Sequence, residues 1–180
     1  MGRRLILLLL GPLLLAACES EPVDAAEPAI PLTGRIVDRA DLLPAARERA
    51  LNARLAQLER ERGPQFVVVT VTSLDGRSIN DFTLDLGRAW GIGSRERDDG
   101  VILLVAPNER KVRIEVGYGL EKTLKDEICA EIIREDILPA FRKGDMPGGI
   151  EDGANAIIQL LEAKRIVGLG LLADQPRMAA

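Results

Sequence analysis

The chain predicts an α/β protein, a three-layer α/β/α sandwich around a mixed central sheet that includes a hairpin. Three observations predict it. "GVILLVA" is apolar without alternation, as a strand covered on both faces must be. "KVRIEV", separated from it by "PNER", alternates as an edge strand with one wet face does. Helical patterns lie before, between and after the strands, an order that suits helices packed on both faces of a sheet.

Taken in order, "PAARERALNARLAQLERERG" sets Ala50 or Leu51, Leu55 and Leu58 at helical spacing with charged residues between them, and Gly63 stops that helix. "QFVVVTVTS" is a short β-branched run and reads as an interior strand. Ser78 with Asp81 three residues on resembles a capping arrangement for a helix carrying Ile79, Phe82, Leu86 and Trp90, which "WGIG" ends. Pro107 and Asn108 make "PNER" a turn, so "GVILLVA" and "KVRIEV" pair as a hairpin, centre against edge. Thr123 with Asp126 is expected to open a long helix through Phe141, with Ile128, Ile132 or Ile133, and Leu138 on its inner face. "PGGIEDGANAIIQLLEAKRIV" supplies the last helix.

The 180 residues suit one domain, and 47% hydrophobic residues with 3% aromatics imply an aliphatic core. "MGRRLILLLLGPLLLAAC" has the parts of an export signal: Arg3 and Arg4, an apolar stretch, then small residues. The stretch is shorter than the roughly 20 apolar residues that span a bilayer as a helix. "LAAC" resembles a bacterial lipobox, which implies cleavage before Cys18 and its acylation; an ordinary secretory signal beside a chance cysteine is the alternative. The division expected is a signal peptide at 1–17, an acidic Ala- and Pro-rich tether at 18–31, the domain at 32–167 and a flexible tail at 168–180. That places the chain in the cell envelope, held to a membrane by its N-terminal lipid. Glu19 favours outer-membrane delivery where the source has an outer membrane.

Losing Arg3 and Arg4 with the signal leaves 22 basic against 28 acidic residues. That balance, with few aromatics for stacking, argues against nucleic acid as a partner. The lack of histidine excludes His-dependent triads, His phosphoryl carriers and His-ligated transition metals. Cys129, among Ile128, Ile132 and Ile133, reads as a buried small hydrophobe. Trp90 reads as core or a lid at the sheet end. If the chain catalyses a reaction, metal-activated water is the route that remains.

Carboxylates gather around the hairpin. Pairing Ala106 with Lys111 sets Asp99 near Tyr118 and Asp98 near Gly119, and Glu121 and Asp126 follow where the chain leaves the edge strand. Two carboxylates about 6 Å apart repel by roughly 0.7–2.8 kcal/mol. A hard cation such as Ca²⁺ or Mg²⁺ would neutralise them, with Gly117 and Gly119 bending the backbone to present carbonyls. Neighbouring Arg95, Arg97, Lys122 and Lys125 would do so equally well as a solvated mixed rim, and Asp126 also suits a helix start.

"GRIVDRADLLP", "WGIG", "DDGVILLVAPNERKVRIEVGYGLE" and "LKDE" together resemble the TPM domain family, from about Leu32 to Leu161. That family includes an acid phosphatase of the thylakoid lumen associated with photosystem repair, and bacterial envelope proteins. The resemblance implies an α/β/α sandwich and an acidic metal site at the sheet end, at Asp98, Asp99, Glu121 and Asp126, with Asp38 a weaker member. Many relatives carry a C-terminal membrane helix with a Gly-rich tail, which the lipid is expected to replace here. Two functions follow as expectations. One is a lipid-anchored protein that binds a divalent cation and assists maintenance or assembly of membrane-protein complexes. The other is a metal-dependent acid phosphatase using Arg113 or Lys122 to hold phosphate.

The lipobox reading predicts that the full-length chain labels with fatty acid in a bacterial host and partitions with membranes. Cys18→Ala should lose both properties, and equal labelling of the two forms would exclude acylation at this cysteine.

Overall fold

The structure, a computed structural model, describes residues 30–173, with side chains through residue 163. The expected signal peptide, Cys18 and the tether to residue 29 lie outside the described residues, as do residues 174–180 of the expected tail, whereas its first part, residues 168–173, continues the last helix. The elements are β1 (Ile36–Asp38), α1 (Ala45–Arg62), β2 (Gln65–Thr70), α2 (Ile79–Trp90), β3 (Gly100–Ala106) and β4 (Lys111–Val116). There follow a 3₁₀ turn (Tyr118–Leu120), α3 (Asp126–Ile132), a π turn (Ile133–Ile137), α4 (Leu138–Arg142) and α5 (Met146–Ala173).

The strands form one mixed sheet in the order β1-β2-β3-β4, parallel except for β4, which runs antiparallel to β3. All seven residues of β3 are buried, as its unbroken apolar run requires. Its alternate residues serve different cores. Val101, Leu103 and Val105 join Phe66, Val68 and the buried leucines of α1 on one face, with Ile132, Ile137, Ile150, Ile157 and Ile158 from the later helices. Ile102, Leu104 and Ala106 join Val67, Val69 and Leu86 on the other, where Trp90 and Phe82 of α2 pack. The sandwich therefore has three layers. Helices α1 and α2 lie on opposite faces although both crossovers step one strand in the same direction, so the two crossovers have opposite hands.

Local chemistry explains the helix ends. Ser78 accepts the N–H of Asp81, and Gly91 takes a left-handed φ of 61° to close α2. Gly63 closes α1 at φ 97°. Strand β1 is too short for a period to show in sequence, and no strand is expected there; it is held by parallel pairing with β2.

Two expectations about the next helix need correction. Thr123 is not its cap: Thr123 and Leu124 both donate backbone N–H groups to Leu120 O, which keeps them in the turn before the helix, and Lys125 is the cap without a side-chain bond. The helix is also not regular through Phe141. Pro139 has no N–H to return to Glu135 and its ring crowds that carbonyl, so the preceding turn widens and Leu138 N–H reaches Ile133 O. The inner face moves by one residue, burying Ile137 completely and leaving Leu138 half-buried.

Ile137 packs where α5 has no side chains. A Cβ at Gly153 would overlap Ile137 Cγ1, and one at Gly149 would crowd Ile137 O and the Phe141 ring. Replacing a mid-helix glycine by alanine ordinarily stabilises by about 1 kcal/mol. Gly153→Ala should instead destabilise, by roughly 1–3 kcal/mol of overpacking in urea unfolding. Stabilisation would mean that α5 stands off from Ile137.

Candidate functional site

The hairpin register is the one expected, Ala106 against Lys111 through Val101 against Val116. It continues beyond the strands: Gly117 N–H donates to Gly100 O at 2.8 Å and Gly119 N–H to Asp98 O at 3.0 Å. The two glycines serve proximity, correcting the expectation that they bend the chain to present carbonyls. A Cβ on Gly117 would collide with Asp98 O, and one on Gly119 with Arg97 O. Gly117 sits at φ −70°, open to any residue, so space is its requirement.

This close approach fixes residues 97–100, and the two aspartates there part company. Asp99 turns inward at 5% exposure. Its Oδ1 accepts the Ser94 N–H at 2.9 Å and its Oδ2 accepts Arg97 Nε at 2.6 Å. Burial alone would raise the pKa of Asp99, but the Ser94 amide and the Arg97 guanidinium outweigh it and hold the carboxyl below its ordinary value of 3.8. The neighbouring backbone is tied in as well. Gln65 N–H donates to Asp99 O, and Gly93 N–H donates to Gln65 Oε1. Asp99 is thus the buried anchor at the entrance to β3, with both carboxylate oxygens already accepting a hydrogen bond.

Asp98 takes the left-handed φ of 46° and points to solvent. It lines an open groove of about 800 Å³ that follows the outer side of β4 between α2 and the start of α3. Glu121 and Asp126 line the same groove, both exposed. Among the described residues none of these three carboxylates makes a side-chain hydrogen bond or ion pair. Arg88, Arg95 and Lys125 share the rim, and Tyr118 stands over it at 80% exposure.

Asp38 lies elsewhere. It ends β1 beside Thr70, the last residue of β2, whereas Gln65 at the other end of β2 pairs beside Asp99. Five residues of strand separate the two ends by about 16 Å. Asp38 accepts the N–H groups of Leu42 and Leu43 at 3.1 and 2.7 Å, together with the Thr70 hydroxyl, and so holds the turn that leads to α1. Neither Asp38 nor Asp99 therefore fits as a ligand in this arrangement. Among the described residues no three His, Cys, Asp or Glu side chains form a group able to hold a metal ion. The donors left over, Asp98, Glu121 and Asp126, are exposed carboxylates that suit a hard cation keeping part of its water shell and do not suit a closed cage.

Cys129 is buried, and burial, helped by Asp126, pushes its thiol up to about 11, the mark of an inert core thiol. The Trp90 indole donates to Ile30 O at 2.7 Å, closing the sheet end as expected of a lid. Sequence reasoning did not anticipate the roles of Ser94, Gln65 and Thr70, whose bonds cross between separate segments. Nor did it anticipate the ion pair between Arg113 Nη2 and Glu115 at 2.8 Å on β4; their spacing of two on a strand was the available signal.

Residues 36–160 match the family model described as TPM domain. Among solved structures the chain is similar to the N-terminal domain of a protein from P. gingivalis. The two share 36% identity at a TM-score of 0.69, over 73% of this chain and 84% of that one. It shares its fold with the N-terminal domain of cg2496 from Corynebacterium glutamicum, at 17% identity and TM-score 0.56, over 71% and 79% of the two chains. The same holds for BA42 from Bizionia argentinensis, at 19% and 0.58, over 67% and 82%. No curated protein matches.

The lowered proton affinity of Asp99 gives a pH test. A carboxyl held below its ordinary value stabilises the fold fully above that value, and the contribution is lost as pH falls through the lower folded-state value. Asp99→Asn should cost roughly 1–3 kcal/mol at pH 7. The gap between wild type and variant should close as unfolding is followed below about pH 4. A gap that does not change with pH would show that the Asp99 charge contributes nothing.

Proposed function

This chain belongs to the TPM domain family, and from that premise we propose a non-catalytic, lipid-anchored envelope protein that binds divalent cations weakly and assists maintenance or assembly of membrane-protein complexes. The observation that carries the reading is the division of labour among the acids. Asp38 and Asp99 are committed to the fold, while Asp98, Glu121 and Asp126 keep their lone pairs on one groove.

Those three residues would hold Ca²⁺ or Mg²⁺, with water completing the coordination shell. The cation would supply charge neutralisation and a bridge to an acidic group on a partner. Exposed ligands that are not gathered in advance point to affinity in the range of extracellular modules, about 10⁻⁴–10⁻³ M. Acylation at Cys18 would set the domain at a membrane surface, where large complexes are assembled. Phosphomonoester hydrolysis is the weaker reading, because Arg113, which would hold the phosphate, is paired with Glu115.

Thermal unfolding of the full-length chain tests this. A cation at about ten times its dissociation constant stabilises by roughly 1.4 kcal/mol, which raises the midpoint by about 3–5 °C for a domain of this size. The triple change Asp98→Asn, Glu121→Gln and Asp126→Asn should abolish the rise. Asp38→Asn and Asp99→Asn should each lower the midpoint and keep it. A rise that survives the triple change, or none in the wild type, would sink the cation site.

A further inference from the structure

The outer side of β4 is an unpaired sheet edge, and its pattern is complementary to itself. Gly117 is hydrogen-bonded to Gly100, so by antiparallel alternation Glu115, Arg113 and Lys111 turn their backbone groups toward β3. The N–H and C=O groups of Val112, Ile114 and Val116 then face outward, and among the described residues no backbone bond reaches them. Exposed edge strands are normally blunted by charged side chains, prolines, bulges or a covering segment. Here Arg113 and Glu115, opposite in charge, share the face toward α2.

We propose that this edge pairs with a second copy of the chain, antiparallel about a two-fold axis at Ile114, joining two four-stranded sheets into one of eight. In that register Ile114 meets its own copy and Val112 meets Val116, so the residues with outward backbone groups face one another in hydrogen-bonded pairs. Arg113 then falls directly opposite Glu115 of the second copy, and Glu115 opposite Arg113. Shifting the register by two one way sets Arg113 against Arg113, which offsets part of the gain from Lys111 meeting Glu115, and the other way sets Glu115 against Glu115; only the pairing about Ile114 has opposite charges facing and no like pair. Charge therefore selects one isologous pairing among those the hydrogen bonds allow. The exposed apolar residues agree with a protein partner: of the three large ones, Leu84 and Tyr118 both line the groove beside this edge.

The charges supply the test. The full-length chain in mild detergent should show a concentration-dependent monomer–dimer equilibrium by sedimentation. Arg113→Glu and Glu115→Arg should each weaken it on the order of ten-fold or more, since each reverses two cross-strand pairs. Mixing the two variants should restore a mixed dimer, because one chain then presents Glu at both positions and the other Arg at both. Neither variant regains its internal ion pair in the mixture, so recovery can come only from contact between chains. If a charge reversal fails to fold by circular dichroism, Val112→Pro decides instead, since it removes an outward N–H and no ladder bond. The proposal is overturned by a wild type that stays monomeric at every concentration, by folded reversals that dimerise as tightly as wild type, by a mixture of folded variants that stays monomeric, or by a folded Val112→Pro chain of unchanged affinity.

Discussion

Burial of β3 on both faces is the constraint from which the rest of the structure follows. A strand with no wet face needs apolar neighbours above, below and on either edge, and the chain supplies them from α1 and α5 on one face and α2 on the other. A strand so enclosed must also be entered and left in defined places. The entrance is held by Asp99, with its ties to Ser94, Arg97 and Gln65. The return strand is held against that entrance by the contact of Gly117 and Gly119 with residues 97–100. The groove beside β4 takes its shape from these contacts.

The fold was legible where physical periodicity was long enough to be unambiguous. The seven residues of β3, the alternating β4 and the short turn between them gave the hairpin register, and Leu55 and Leu58 the inner face of α1, with Leu51 rather than Ala50 completing it. Strand β1 escaped because three residues carry no period, and it is a strand only through its neighbour. The interruption before α4 escaped because a proline within a helical pattern signals a disturbance without saying how the turn will absorb it.

The candidate site was legible as a neighbourhood and not as a set of roles. Register arithmetic brings Asp98, Asp99 and Glu121 to one end of the sheet. It cannot say that Asp99 turns inward to an arginine two residues away while Asp98 turns to solvent, since that depends on a left-handed φ at Asp98. Asp38 illustrates the complementary limit. Its place at the far end of the sheet follows from the parallel pairing of β1, which a three-residue strand does not announce.

The bond from the Trp90 indole to Ile30 O closes one end of the sheet core, and it also fixes where the chain preceding residue 30 joins the domain. The chain enters the fold against Trp90, which is followed in sequence by Gly91 and Ile92, two residues that line the groove. From Cys18 to Ile30 there are twelve peptide steps, which reach at most about 43 Å when fully drawn out. A domain attached at Cys18 would therefore hang from its groove end, with a ceiling on its height above the bilayer. Anything assembled in the groove of such a domain would have to be met within that reach of the bilayer.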